Sequence, residues 1–575
     1  MALRNSPELR AALVMAPAPL SDPTRIVTRT PRVNRARRMI PPSVQTQRAP
    51  PCRPARFAEL RPGDFLLARI RSATVLGVEA LAVDVEIDIT NGLPAFTTVG
   101  LPLGAVKEGR ERVAAALGNS GFQLPLRRIT VNLAPADVQK RGSAFDLPIA
   151  MGILAASGQI PDDRLGAILF LGELGLEGDL RPIRGALPIA LAARTMGCTE
   201  LILPEANVAE AAVVEGIAVR GASTLTAVCE HLSGAVELPP VRSDASALMR
   251  QLPSGDVDFA DVKAQGAAKR ALEVAAAGAH NVLLIGPPGT GKTMLARRLP
   301  SILPSLTLAE ALDVTRIHSV AGLLPAGQAL VSQRPFRAPH HTVSYAGLIG
   351  GGAVPRPGEV SLAHHGVLFL DEVAELPTNV LEVLRQPLED GHVTISRAAM
   401  TLSYPARFLL IASMNPCPCG FLGDVARQCI CPPMSVQKYR SKISGPLLDR
   451  VDIHLNVPPV AYDDLAARTP AESSVTVRAR VEAARDRQLE RFRHVPGVFA
   501  NAHMGPRELS RFVRVDAATE AVLKSAIVKL GLSARAYHRI LKLARTLADL
   551  DGAADVGPAQ VAEAIQYRVL DRGPQ

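Results

Sequence analysis

Along residues 83–89 apolar side chains alternate with polar or acidic ones, the period of a strand buried on one face, and the glycine and proline in 92–94 supply a turn after it. Residues 127–133 predict another strand. Residues 146–157 are apolar almost throughout and predict a buried helix stopped at Gly158; 168–171 and 201–203 predict short strands, so 67–236 reads as an α+β domain. Pro239, Pro240 and the Ser/Asp-rich run after them predict a linker over 237–257. From 258 to 459 strands and helices alternate, as a parallel α/β sheet requires. The remainder, 460–575, reads as helical. There Ile540, Leu543, Leu547 and Leu550 mark one face of a helix, Ser533 is placed to cap it, and Pro558 sits near the first turn of the last helix.

Composition narrows the classes. The 575 residues leave room for roughly four structural units, and 47% hydrophobic with 21% charged residues excludes a disordered or fibrous chain. No apolar run approaches the roughly 18 residues that a membrane span takes. An aromatic content of 3%, without Trp, argues against base stacking as the main mode of recognition. The seven cysteines make no disulfide framework, and four of them fall within 417–431, which points to a reducing compartment and a cytoplasmic location. The net charge of +10 is concentrated in residues 1–66, where twelve Arg face four acids and the remaining chain is left near +2. With eleven prolines, 1–66 reads as a disordered Arg/Pro-rich leader outside the fold; a targeting peptide or a nucleic-acid arm is the alternative.

The chemistry begins where residues 281–285, a buried strand, run into Gly286, Pro287, Pro288, Gly289, Thr290, Gly291, Lys292 and Thr293, with a helix starting near Met294. The glycines let the backbone fold so that its N–H groups and the helix N-terminus converge on anionic oxygens. Lys292 is then placed to reach the β- and γ-phosphates of ATP, and the Thr293 hydroxyl to coordinate Mg2+. The metal also needs a carboxylate at the end of a neighbouring strand. Residues 367–370 supply that strand, followed by Asp371 for the metal and by Glu372, pointing the other way, to activate the attacking water. The reaction class is ATP hydrolysis. A third strand over 408–414 ends at Asn415, which reads either as a γ-phosphate sensor or as a turn residue before Pro416.

Cys417, Cys419, Cys429 and Cys431 form two pairs on a short loop, a donor set for structural Zn2+. A single residue inside each pair strains chelation by both thiols, and buried reduced thiols are the alternative. His340-His341 and His364-His365 are adjacent pairs, which on a strand point apart and make poor metal geometry.

With these residues in place the chain resembles the AAA+ family, and 334–341, 350–352, 359–364 and 445–452 are similar to its magnesium-chelatase-like branch. The order of domains from about residue 67 to the end resembles the ComM/YifB proteins. The resemblance implies an α/β P-loop AAA+ parallel-sheet domain over 258–459 with an α-helical lid over 460–575. It implies that the preceding α+β domain is Lon-C/ribosomal-S5-domain-2-like. In that frame Asn415 takes the first sensor position, Arg450 is the arginine finger projecting into a neighbour's site, Arg535 is the second sensor, and the assembly is a hexamer. Residues 321–360 are expected to send a hairpin toward the pore and 393–405 to form a second one. Arg334, Arg337 and Arg397 are then candidates for gripping phosphates, with solvated loop arginines the alternative.

The function implied is that of an ATP-driven motor that passes single-stranded or branched DNA through its pore, a helicase promoting branch migration during natural transformation. A chelatase-type ATPase remodelling a protein partner is the alternative. Segments 142–151 and 181–187 resemble those that carry the Ser and Lys of Lon-type proteases. Leu187 stands where the lysine is expected and Ser143 falls one residue out of register, so a non-proteolytic domain is expected.

Overall fold

The computed structural model describes residues 66–570 apart from 141, 250–256, 326, 353–354, 398–399, 425–426, 461–470 and 569. The leader expected over 1–66 lies outside the described residues, except that Leu66 already begins a strand.

The first domain is built on an antiparallel pair, Leu66–Leu76 with Glu79–Thr90, paired from Leu66 opposite Ile89 to Leu76 opposite Glu79. The alternation in the sequence is realised directly, because Val83, Val85, Ile87 and Ile89 are all buried. Six further strands complete a mixed sheet, in the order Pro240–Val241, Ala218–Ala222, Glu200–Pro204, Ile168–Phe170, the pair, Arg128–Ala134 and Ala95–Val99. The helix Asp146–Ala156 is buried on nearly all sides, as its uniformly apolar sequence requires. Part of the stretch read as a linker belongs to the fold: Pro240–Val241 is an edge strand, and Ala245–Met249 is a short helix.

The second sheet has five parallel strands in the order Phe336–Arg337, Val367–Leu370, Leu409–Met414, Val282–Ile285 and Ile453–Asn456. Successive residues of its fourth strand, Val282–Ile285, enter two different cores. Val282 and Leu284 pack with the lid helices, and Leu283 and Ile285 with the segment around Leu368, Leu381 and Tyr404. The sheet is buried on both faces, which gives a P-loop α/β fold. The lid comprises Ser474–Phe492, Pro506–Phe512, Ala517–Leu530, Ala534–Leu550 and Pro558–Gln566. Ser533 caps the fourth of these by accepting from Ala536 N–H, and Ile540, Leu543 and Leu547 are buried on its inner face. Among the described residues no helix is long and apolar enough to cross a membrane.

Candidate nucleotide site

Three parallel strands end side by side. Ile285 pairs with Met414 and Leu370 with Ala412, so Gly286, Asp371 and Asn415 leave the sheet along one rim, the carboxyl edge at which open α/β sheets bind ligands. Gly286 has no room for a side chain, since a Cβ there would lie 2.3 Å from the Val457 carbonyl. Gly291 has φ +85°, left-handed backbone that suits glycine. The helix Lys292–Arg298 starts on that glycine, two residues earlier than the sequence suggested.

Lys292 Nζ donates to the carbonyls of Gly286 (2.6 Å) and Pro287 (2.8 Å) and to Asn415 Oδ1 (3.3 Å). An ammonium already gathered among oxygens fits a polyphosphate, whose oxygens would replace the loop carbonyls as acceptors. Burial draws its pKa below the usual lysine value, while Asp371 and Glu372 work in the opposite direction. Thr293 Oγ1 donates to Asp371 Oδ2 at 2.8 Å. The Ser413 hydroxyl and the Glu372 N–H (3.1 Å) both donate to Asp371 Oδ1. Asp371 is thereby fixed toward Thr293, and hydroxyl plus carboxylate oxygens are the hard donors that magnesium takes. Glu372 has φ +50°, a strained conformation for a residue with a side chain. That conformation leaves its carboxylate half-exposed, 4.0 Å from Nδ1 of His341. The sequence reading assigned no role to Ser413 or His341.

Arg450 and Arg535 are elsewhere. The Arg450 carbonyl accepts from Asn281 Nδ2 at 2.9 Å, and Asn281 precedes the strand Val282–Ile285, so Arg450 sits at the end opposite the phosphate loop. Its guanidinium pairs with Glu389 and donates to Pro446 O at 2.6 Å, while its Nε is buried without a partner among the described residues. Arg535 is exposed and pairs with Asp449 at 2.6 Å. Both arginines line one polar cavity of about 500 Å³, together with Glu389, Asp452 and Arg539.

Asp452 joins the sheet to the lid. It accepts from His280 Nδ1 (3.1 Å) and pairs with Arg539. Burial would raise its pKa, but Arg539 and His280 outweigh burial and hold the carboxyl well below the usual range. Asp452→Asn is expected to cost about 3–5 kcal/mol, because it strands two cationic or donor groups in the interior. Chemical denaturation should show an earlier midpoint, and an unchanged midpoint would refute the role. A depressed acid contributes stability above its unfolded value and loses it as pH falls. Wild-type stability should therefore decline below about pH 4.

The hairpin arginines divide. Arg334, read as a phosphate grip, is held in the interior. Its Nε donates to Pro304 O (2.6 Å), its Nη1 to His365 O (2.7 Å), Glu310 lies at 3.0 Å, and the side chain is 15% exposed. That corrects the expectation. Arg337 forms a two-pronged pair with Glu359 at 2.7 and 2.8 Å. Arg397 remains exposed near the tip of the hairpin His392–Arg397 with Met400–Pro405. A second small hairpin, Gly350–Gly351 with Arg356–Pro357, lies against it, a Cβ on Gly351 falling 3.1 Å from Arg397 Nη2. It presents Arg356, exposed and missed in the sequence.

The four cysteines meet. Sγ of Cys417 lies 3.4 Å from that of Cys419 and 3.6 Å from that of Cys429, Cys419 and Cys429 are 3.6 Å apart, and all four sulfurs lie within 4.8 Å of one another. His364 and His365 do not point apart as expected. They occupy a turn after the helix Glu359–Leu362, their rings 4.0 Å apart. In the first domain Leu187 is fully buried and the Ser143 hydroxyl bonds Glu173, so Ser143 has no lysine partner at position 187.

Three family models match: "Subunit ChlI of Mg-chelatase" over 85–207, "Magnesium chelatase, subunit ChlI" over 258–465, and "Magnesium chelatase, subunit ChlI C-terminal" over 471–568. The competence protein ComM of Haemophilus influenzae is 44% identical over 509 residues, 88% of this chain and 98% of that one. YifB of Escherichia coli is 42% identical over 511 residues, with the same coverage. The magnesium-chelatase 38 kDa subunit of Rhodobacter capsulatus is 26% identical over 299 residues, 49% of this chain and 77% of the relative.

Proposed function

The chain belongs to the ComM/YifB family of magnesium-chelatase-like AAA+ ATPases, and from that premise we propose that it assembles as a hexameric ring motor on DNA. In this reading ATP hydrolysis drives movement along single-stranded or branched DNA and promotes branch migration of recombination intermediates during natural transformation. Its cofactors are ATP and Mg2+, with Zn2+ at the four cysteines, and it works in the cytoplasm.

The observation that carries the reading is the separation of the phosphate-binding residues from Arg450. The strand Val282–Ile285, roughly 13 Å long, keeps Arg450 from the phosphate loop of its own protomer. A finger so placed serves the site of the next subunit, and Arg535, lining the same cavity, goes with it. Within one site Lys292 holds the β- and γ-phosphates, and Thr293 and Asp371 hold the metal. Glu372 takes a proton from the water that attacks the γ-phosphorus as its bond to the β-phosphate oxygen breaks, and Asn415 keeps that water or the γ-phosphate in line. Magnesium, when bound, neutralises charge on the phosphate oxygens. The neighbour's guanidinium groups offset the charge that develops in the transition state.

DNA is favoured by Arg356 and Arg397, exposed on adjoining hairpins, and by the printed name of the competence relative. A chain near neutral outside its leader can still concentrate charge in a ring's pore. The test is the ATPase rate with and without forked DNA. Stimulation that disappears in Lys292→Ala, with branched DNA resolved in ATP and not in a non-hydrolysable analogue, is expected. Indifference to every DNA, together with stimulation by a porphyrin-binding protein, would favour the second reading. That reading is a chelatase-type ATPase, suggested by the relative from Rhodobacter capsulatus.

A further inference from the structure

We infer that the four-cysteine cluster is a zinc-thiolate knot that positions Asn415 and the phosphate loop for hydrolysis. The inference rests on the ATPase reading above and adds a second metal with a separate duty.

The sulfur geometry comes first. Zinc with four thiolates at about 2.3 Å in a tetrahedron sets neighbouring sulfurs about 3.8 Å apart. The sulfurs here stand at 3.4 to 3.6 Å where they are closest, far beyond the roughly 2.05 Å of a disulfide. The short spacing within each pair is accommodated by the backbone. After Cys417 the chain turns through Pro418, Gly420 takes φ +86°, and Gly420 N–H bonds the Cys417 carbonyl at 3.0 Å. Two N–H groups also point at sulfur, Cys419 N toward Cys431 Sγ and Cys431 N toward Cys429 Sγ, each at 3.4 Å. Such bonds stabilise thiolates and fix ligand orientation. The first pair thus supports the second, and the second is braced within itself, before any ion is added.

The knot is wired into the nucleotide site. Cys417 follows Asn415 by two residues, and Asn415 Oδ1 accepts from Lys292. A Cβ on Gly420 would fall 2.8 Å from Pro288 Cδ and 4.0 Å from Asn415 Cγ, so the turn inside the knot lies directly on the phosphate loop. Arg440 Nε donates to Pro416 O at 3.1 Å and braces the segment from the other side. Zinc closes the loop that carries these contacts. Without it the closure is lost, and the sensor amide keeps the strand behind it, the Lys292 bond and the Arg440 brace on Pro416 but not the turn at Gly420 pressed on the phosphate loop. Nucleotide binding through the loop amides and Lys292 remains, while the alignment needed for hydrolysis does not. A displacement of about 1 Å in such a site can reduce turnover on the order of 100-fold.

The experiment uses the full chain. Elemental analysis of purified protein should find one zinc per chain, and protein loaded with Co2+ should show the visible absorption of a tetrahedral tetrathiolate site. Cys429→Ser/Cys431→Ser should lose the metal, keep its circular dichroism and its affinity for a fluorescent ATP analogue, and fall in kcat by roughly 10- to 100-fold. Asn415→Ala should fall similarly, and adding the cysteine changes to it should cost little more, since both act through one group. Wild-type chain expressed without zinc gives the same comparison should the variant not fold, with kcat recovering on zinc addition. Absence of metal, or of the cobalt signature, refutes the zinc site. Bound zinc with normal kcat after its removal leaves a zinc site standing and refutes the coupling. Full ATPase loss in Lys292→Ala tests the underlying ATPase reading independently of both.

Discussion

Arg450→Ala is expected to lower ATP turnover by about 10³–10⁵-fold while nucleotide binding stays near the parent value. The size follows from where the charge acts. As the bond to the γ-phosphoryl group loosens, negative charge spreads over its oxygens, and Lys292 with the metal held by Thr293 and Asp371 would offset only part of it. In the proposed ring a guanidinium from the next protomer would offset the rest, as a fixed cation there stabilises the transition state more than the ground state. Within the chain the Arg450 guanidinium pairs with Glu389 and donates to Pro446 O, and its Nε is buried without a partner among the described residues. Arg450→Lys should rescue little, because an ammonium cannot reproduce the planar two-pronged contact. Comparing kcat with analogue binding checks this, and a variant that loses binding and turnover together would mean that Arg450 merely supports the fold.

Glu372→Gln should bind ATP about as well as the parent and hydrolyse it about 100-fold or more slowly. Glutamine keeps the size and the hydrogen bonding of the side chain and removes its capacity to take a proton. The strained backbone at Glu372, φ +50°, goes with a carboxylate that is half-exposed and 4.0 Å from His341 Nδ1, free of the Asp371–Thr293 hydrogen bond and open to a water. Single-turnover hydrolysis with bound ATP measures the step directly, and near-normal rates would remove Glu372 from the role of base.

Legibility in the sequence followed the distance over which each feature is encoded. The phosphate loop is contiguous, so spacing alone located it. Asp371 and Asn415 were found because a residue that ends a buried parallel strand must emerge at the ligand-binding rim. Ser413 was not found, since only the lateral register sets it beside Asp371. Arg334 misled because its acceptors, Pro304 O, Glu310 and His365 O, lie about thirty residues away in either direction, and nothing local marks an arginine as internal. The cysteine spacing left open whether the four thiols meet, because the sequence does not show the turn at Gly420 that helps bring their sulfurs within 4.8 Å of one another. Asp452 contacts His280 and Arg539 across 172 and 87 residues, a junction that exists only after the lid has docked. The common cavity of Arg450 and Arg535 has the same origin.

The claim beneath all of this is that one ATP is cleaved by residues of two protomers. Mixing Lys292→Ala chains, which have a sound finger and a failed phosphate loop, with Arg450→Ala chains, which have the reverse, tests it most directly. Each alone should be inactive, and subunit exchange should restore hydrolysis at junctions where an intact loop meets an intact finger. A mixture that demonstrably co-assembles yet remains as inactive as its components would contradict the shared site.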